Sequence, residues 1–336
     1  MHPVTDQLGR PLLDLRVSVT DRCNFRCTYC MPREHFGQEH RFLPRAEILS
    51  FEEITRVVGA LVPLGLRKVR LTGGEPLLRA ELPKLVQMLR RFSGLELALT
   101  TNASLLPKHA SALRDAGLDR VTVSLDSVSP DVFARMTDSD LPVTEVLAGI
   151  AAARAAGFGP LNINAVVRRG VNDHTVVELA RHFKGSGNIV RFIEYMDVGL
   201  TNGWQSAEVV GGKEIASLID AELPLEPLPP NYAGEVAKRY RYRDGSGEIG
   251  VITSVTEPFC GDCARLRLSA DGHIFGCLFA RVGQDLRSVL RSAEGDAQLS
   301  ATLHAFWCAR ADRYSELRSE GTRSNVRRLE MSYLGG

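Results

Sequence analysis

Residues 15–30 read LRVSVTDRCNFRCTYC, a short alternating segment that runs directly into three cysteines. Leu15, Val17 and Val19 alternate with Arg16 and Ser18. Successive side chains of a strand point to opposite faces, so this segment reads as a strand with one apolar and one polar face. Cys23, Cys27 and Cys30 follow at spacing C-x3-C-x2-C in a polar loop. Three thiols that close together in such a loop suit a metal group rather than a core. A zinc knuckle would need a fourth ligand, and no histidine lies nearer than His35. An electron-transfer iron–sulfur cluster normally takes four cysteines; three on a four-iron cluster leave one iron open to a chelating ligand.

The same alternation recurs along the chain. Strands are predicted at 13–19, 68–72, 95–101, 120–125, 161–167 and 189–196, with helical segments between them. The first helix is well marked, with Ser50 and Glu53 forming a capping box and Gly65 closing its far end. Six strand–helix units in series predict a parallel sheet with right-handed crossovers. Six are too few for a closed eight-unit barrel. The expected fold is therefore α/β, a partial (βα)6 TIM-like barrel; a flat doubly wound sheet is the alternative that pattern alone leaves open.

Polar residues keep to one face of most strands. Lys68, Arg70 and Thr72 alternate with Val69 and Leu71, Thr122, Ser124 and Asp126 with Val121, Val123 and Leu125, and Asn162 and Asn164 with Leu161, Ile163 and Ala165. The apolar faces should pack on the helices, which leaves a polar lumen suited to a large polar ligand. Asp126 and Glu194 are its candidate carboxylates.

Beyond about residue 222 the pattern changes to prolines, short strands and the hairpin dipeptides Asp244-Gly245 and Asp271-Gly272. Residues 223–336 are read as a C-terminal extension covering an open side of a 1–222 barrel. It carries a second triplet, Cys260, Cys263 and Cys277, spaced C-x2-C-x13-C. Here zinc and iron–sulfur stay equally open, because His273 could complete a Cys3His site. Arg265 and Arg267 lie two apart on one predicted strand face, and Arg16 and Arg70 sit on the polar faces of two barrel strands. Guanidinium forks inside a lumen need anionic partners, and phosphate oxygens fit them. The chain ends Gly335-Gly336, the least bulky sequence that could thread a narrow pocket. Cys308, alone on a helical stretch, is expected to be a small core residue.

The cysteine triplet joined to Thr72-Gly73-Gly74-Glu75-Pro76 at the second strand end resembles the radical S-adenosylmethionine superfamily. The stretches RLTGGEPLLR (70–79), TTNASLL (100–106), VTVSLDS (121–127), NAVVRRGVND (164–173), RFIEYMDVG (191–199), PFCGDCARLRLSADGHIFGCLF (258–279) and the terminal Gly-Gly resemble, within it, the GTP 3′,8-cyclase family of molybdenum cofactor biosynthesis. The resemblance implies two [4Fe-4S] clusters, one on each triplet, with S-adenosylmethionine at the first beside Tyr29, Gly74, Ser124 and Met196. It implies that a 5′-deoxyadenosyl radical takes hydrogen from C3′ of GTP and that C3′ then bonds to C8 of the guanine. GTP would be held by Arg16, Arg70, Thr101, Asn162, Arg265 and Arg267, with Gly335 and Gly336 promoting turnover. An electron donor of flavodoxin or ferredoxin type, a downstream cyclic pyranopterin monophosphate synthase and a homodimer are further implications. Two departures stand out. The family's Lys-x-Asn segment reads Asn162-Ile163-Asn164, and its glycine after Thr-Thr-Asn is Ala103, a change expected to be minor.

Composition sets the outer bounds. Forty-one basic residues against 40 acids give a net charge of +1, with no global pull toward nucleic acid or an anionic membrane. No apolar run of about 18 residues is present, and the first residues lack a secretory apolar stretch, so a cytoplasmic location is expected. Two rival readings remain: another radical enzyme with an auxiliary cluster, such as a peptide-modifying one, and a non-catalytic iron–sulfur or zinc protein.

Overall fold

A computed structural model describes residues 3–232, 234–292, 295–318 and 328–335. The six expected parallel strands form in order: β1 (Asp14–Ser18), β2 (Lys68–Thr72), β3 (Glu96–Thr101), β4 (Arg120–Ser124), β5 (Asn162–Val167) and β6 (Ile189–Glu194). Helices α1 (Phe51–Leu61), α2 (Leu82–Leu89), α3 (Leu106–Asp115), α4 (Pro130–Thr137), α5 (Val143–Ala155) and α6 (Val176–Phe183) connect them. The Ser50–Glu53 capping box starts α1. A short 3-10 turn over Val62–Leu64 then carries the chain to Gly65 at φ +120°.

The alternation places the core. Leu15, Val17, Val69, Leu71, Leu97, Leu99, Val121, Val123, Ile163, Val190 and Phe192 are all buried on one face and belong to one hydrophobic cluster with the helices. The other face, with Arg16, Arg70, Thr122 and Asn162, lines the lumen.

The extension differs from its expected role as a cover. It continues the barrel sheet on both edges. After α7 (Gly212–Asp220) come β7 (Leu225–Leu228), β8 (Ala237–Tyr242) and β9 (Glu248–Ile252), and β9 pairs parallel with β6. Then β10 (Arg265–Leu268) pairs parallel with β1, and β11 (His273–Phe275) and β12 (Gln284–Asp285) follow antiparallel. The result is one 12-stranded sheet ordered β12-β11-β10-β1-β2-β3-β4-β5-β6-β9-β8-β7. Periodicity finds strands but does not say which edge they join. Pairing on both barrel edges satisfies backbone groups that an open barrel would leave unpaired. The chain then runs through α8 (Arg287–Arg291), α9 (Gly295–Cys308), α10 (Tyr314–Leu317) and α11 (Met331–Leu334). Cys308 is half-buried beside His304, not a core residue; Trp307 takes the core position on α9.

Candidate active site

The first triplet lies in the loop after β1, at the C-terminal mouth of the barrel where parallel barrels build their sites. All three thiols are free. Burial pushes Cys23 up to about 11 and raises Cys27 and Cys30 as well. Each of Cys27's two partners adds to its shift, which places the thiols within electrostatic reach of one another. A bound metal reverses that preference, since a coordinating thiol is deprotonated outright. The amide of Phe25 donates to Cys23 Sγ at 3.4 Å, a contact that favours thiolate. The donor set therefore fits an iron–sulfur cluster.

The loop is held by Gly73 and Gly74, but not as a bare ligand surface. A Cβ on Gly73 would lie 2.4 Å from the Thr20 carbonyl oxygen, and one on Gly74 2.2 Å from that of Arg22. The amide of Gly74 donates to Thr20 O at 2.8 Å, and that of Glu75 to Arg22 O at 2.7 Å. The backbone that approaches these glycines is the cysteine loop itself, docked onto the end of β2. Glu75 fixes the next strand: it accepts from Leu77 N, Asn102 N and the Thr101 hydroxyl at 3.0, 2.7 and 2.7 Å. Burial nevertheless pushes its carboxyl up to about 7.

That contact corrects the expectation for Thr101. Its buried hydroxyl is spent on Glu75, and Thr100, one residue earlier, takes the lumen position and accepts from Arg70 Nη1 at 3.1 Å. Glu194 is likewise no lumen carboxylate. It lies on the apolar face of β6 and accepts from the amides of Gly212, Val255 and Thr256 and from the Thr256 hydroxyl. Asp126 does lie inside, where burial pushes it up to about 6. It accepts from the Tyr29 hydroxyl at 2.9 Å, so Tyr29 is pinned beside Cys27 and Cys30 in a small cluster with Met136 and Tyr195. Ser124 and Met196 are half-buried at the strand ends around it.

Strand register brings the arginines together. Arg16 pairs laterally with Arg70 on β2 and with Arg267 on β10, and neighbouring strands lie about 4.8 Å apart. Arg70, Arg16 and Arg267 thus form one row across the lumen face. Lys68, Asp14 and Arg265 form the next row. Burial, then Arg267, Arg265 and Arg70, lower the Arg16 guanidinium well below its ordinary value. Among the described residues, the buried atoms Arg16 Nε, Asp14 Oδ1, Thr72 Oγ1, Asn162 Oδ1 and Asn164 Oδ1 have no hydrogen-bond partner. A buried, cation-rich wall with unmatched polar atoms is complementary to a polyanionic, hydrogen-bonding ligand.

Arg191 was not singled out from sequence. It lies on the lumen face of β6 opposite Asn164, and Arg120 and Arg70 both lower its guanidinium after burial. The signal was present in Val190-Arg191-Phe192, the same alternation that exposed Arg16.

The second triplet sits at the other side of this wall. Cys260 and Cys263 precede β10 and Cys277 follows β11. The amide of Phe279 donates to Cys277 Sγ at 3.4 Å, and burial pushes that thiol up to about 11. At Cys263 burial is outweighed by the Arg265 and Arg310 guanidiniums, which bring it down to about 6. His273 faces Asp271 at 3.2 Å and the Tyr333 hydroxyl at 3.3 Å. Among the described residues no three Cys, His, Asp or Glu side chains converge on a single-ion site. With His273 turned to Asp271 and Tyr333, the three free thiols and their anion-favouring neighbours suit an iron–sulfur cluster.

The C-terminal segment crosses the mouth between the two triplets. Arg328 and Arg318 both pair with buried Asp197. Glu330 accepts from Leu200 N and the Thr201 hydroxyl. Tyr333 donates to Asp271, and the Arg267 guanidinium donates to the Gly335 carbonyl. Gly335 has φ +70°, and a Cβ there would lie 2.3 Å from Thr72 Oγ1. The tail is threaded as its small residues allow; Gly336 lies outside the described residues.

Known proteins resemble this chain along both of its halves. Residues 17–183 match the radical SAM superfamily profile, and residues 188–316 match molybdenum cofactor synthesis C. The chain is 56% identical over its whole length to the GTP 3′,8-cyclase of Acidothermus cellulolyticus, covering 99% of that protein. It is 50% identical to the GTP 3′,8-cyclase of Xanthomonas campestris pv. campestris, over 99% of this chain and 98% of that one. Among solved structures, Streptococcus suis SuiB bound to S-adenosylmethionine superposes with a TM-score of 0.64 at 13% identity, covering 95% of this chain and 76% of that one, which speaks for the fold alone. Profile matches along both halves, joined to full-length identity of this degree, mean that the chain belongs to the radical SAM superfamily and, within it, to the GTP 3′,8-cyclase family.

Proposed function

We propose that this chain cyclises GTP to (8S)-3′,8-cyclo-7,8-dihydroguanosine 5′-triphosphate, the first step of molybdenum cofactor biosynthesis, with S-adenosylmethionine as co-substrate. The observation that carries the reading is the row Arg70, Arg16 and Arg267 lying between two cysteine triplets. A [4Fe-4S] cluster on Cys23, Cys27 and Cys30 would supply the electron for reductive cleavage of the sulfonium, and a second on Cys260, Cys263 and Cys277 would bind the guanine edge. Tyr29, Gly74, Ser124 and Met196 would surround S-adenosylmethionine, Tyr29 being oriented by Asp126. Arg16, Arg70, Arg265 and Arg267 would hold the triphosphate, with Asn162 donating or accepting a hydrogen bond where the family has a lysine.

In this reading the protein's contribution is positioning: one C–H bond is presented to a reactive centre in a site closed to water. Gly335 and Gly336 would complete that closure, which agrees with the contact of Gly335 on Arg267. We place the boundary of the barrel portion at 222/223, and we assign a cytoplasmic location, a flavodoxin- or ferredoxin-type electron donor, a homodimeric state and a product passed to cyclic pyranopterin monophosphate synthase. No helix among the described residues is long and apolar enough to cross a membrane. The test is anaerobic reconstitution followed by reductant, S-adenosylmethionine and GTP. Formation of 5′-deoxyadenosine with matching loss of GTP is expected; 5′-deoxyadenosine without loss of GTP, or zinc as the bound metal, overturns the reading.

A further inference from the structure

Residues 5–11, TDQLGRP, entered none of the motifs above, yet their two charged side chains are among the most buried in the protein. Asp6 is 6% exposed, Arg10 2%, and Arg310 at the end of α9 5%. Asp6 forms a tight turn by accepting from Leu8 N and Arg10 N at 3.0 and 2.9 Å. Its other oxygen binds both cations, Arg10 Nε at 2.6 Å and Arg310 Nη1 at 2.9 Å. The indole of Trp307 lies under the Arg310 guanidinium at 4.7 Å and donates to Arg10 O at 3.2 Å.

Further guanidinium N–H groups donate to the backbone around the second triplet, while the buried Arg10 Nη2 has no partner among the described residues. Arg10 Nη1 donates to the Cys260 carbonyl at 2.8 Å and to that of Asp312 at 2.8 Å. Arg310 Nη1 donates to the Cys263 carbonyl at 2.8 Å, and its Nε to that of Gly276, the residue before Cys277, at 2.9 Å. Each of the three cysteines is therefore tied, at or next to its own peptide, to one buried ion cluster.

We infer that Asp6, Arg10 and Arg310 are positioning residues of the second triplet, fixing its three loops and setting the reduction potential of the iron–sulfur group bound there. The inference rests on the reading of that triplet as a cluster site. Its physical basis is charge. Two buried guanidiniums and one buried carboxylate leave a surplus of one positive charge. Asp312, 3.7 Å from Arg310 Nε, is 39% exposed and is screened by water. Uncompensated buried charge is strongly unfavourable, so the surplus calls for an anion close by. A three-thiolate [4Fe-4S] group is that anion, and it becomes more negative on reduction. A neighbouring cation in low dielectric therefore favours the reduced form, cluster charge and hydrogen bonding being levers that set such potentials.

The test uses a Cys23→Ala/Cys27→Ala/Cys30→Ala chain, which leaves only the second site. This parent should bind about four irons. Asp6→Asn adds one net positive charge and should raise the midpoint in an EPR redox titration. Arg310→Gln removes one and should lower it. Each shift is expected to be at least tenfold in the reduction equilibrium, about 59 mV for one electron. Arg310→Lys keeps the charge and loses the fork, so it should hold the midpoint near the parent's while releasing iron to a chelator faster. Should Arg310→Gln fail to fold, judged by loss of the first-site spectrum in the otherwise intact chain, Asp6→Asn and Arg310→Lys carry the test. A parent without iron overturns the second-cluster reading and the inference with it. An iron-binding parent whose Asp6→Asn variant keeps its midpoint, or moves it downward, overturns the inference alone.

Discussion

Gly335→Ala tests whether the tail is seated in the lumen as described. Two penalties arise at one residue. The backbone at φ +70° costs an alanine about 1–2 kcal/mol. The new Cβ would also stand 2.3 Å from Thr72 Oγ1, a distance real Cβ atoms do not adopt, so the tail must move away from the β1–β2 wall. Moving it weakens the Arg267–Gly335 hydrogen bond, and bonds from charged donors are worth about 1.5–3 kcal/mol. The sum, about 2.5–5 kcal/mol, lowers the ratio of seated to released tail by roughly 70- to 5,000-fold, at 1.36 kcal/mol per decade. Amide hydrogen exchange of a 328–336 peptide segment, measured in the intact chain, reads this directly. Exchange should accelerate at least tenfold, GTP turnover should fall with it, and iron content should stay at the wild-type level. Thr72→Ala in the same chain removes the atom that the Cβ meets and should recover part of both losses. Wild-type exchange and wild-type turnover in Gly335→Ala would refute the placement of the tail.

Three further outcomes follow from buried polar and strained positions. Glu75, raised to about 7 by burial, takes up its proton in the folded chain at a pH where the unfolded chain has released it. Its contribution to stability therefore falls as pH rises from about 4.5 to about 7 and is flat above, by up to about 3 kcal/mol; Glu75→Gln should abolish that slope in denaturant titrations across pH, and a retained slope assigns it elsewhere. Ala103 stands at φ +65°, a backbone region that favours glycine. Relief of about 1–2 kcal/mol in Ala103→Gly is offset by about 0.8 for the buried methyl and about 0.4–1 for the freer unfolded chain, so the melting temperature should move by no more than a few degrees; a larger shift would mean that the backbone there rearranges. Asn162→Lys places a cation on the lumen face of β5, near the arginine row. It should lower KM for GTP several-fold with kcat unchanged, and an unchanged KM would place the triphosphate away from β5.

The sequence by itself determined the order of strands and helices, the polar lumen face and both cysteine triplets, because these depend on local periodicity and on spacing within one loop. Arg16, Arg70, Arg265 and Arg267 were legible for the same reason. Only the tertiary structure decided what those residues meet. Which edge a strand joins is a long-range choice, so the pairing of β10 with β1, and with it the row Arg70, Arg16 and Arg267, leaves no local trace. The side a strand end presents is equally non-local: Thr101 turns to Glu75 and Glu194 to three backbone amides, while Thr100 and Arg191 face inward. Asp6 and Arg310 are 304 residues apart, and no reading of spacing joins them. They meet because burying two guanidiniums requires a carboxylate and carbonyl oxygens around them, and only the folded chain brings those groups to one place.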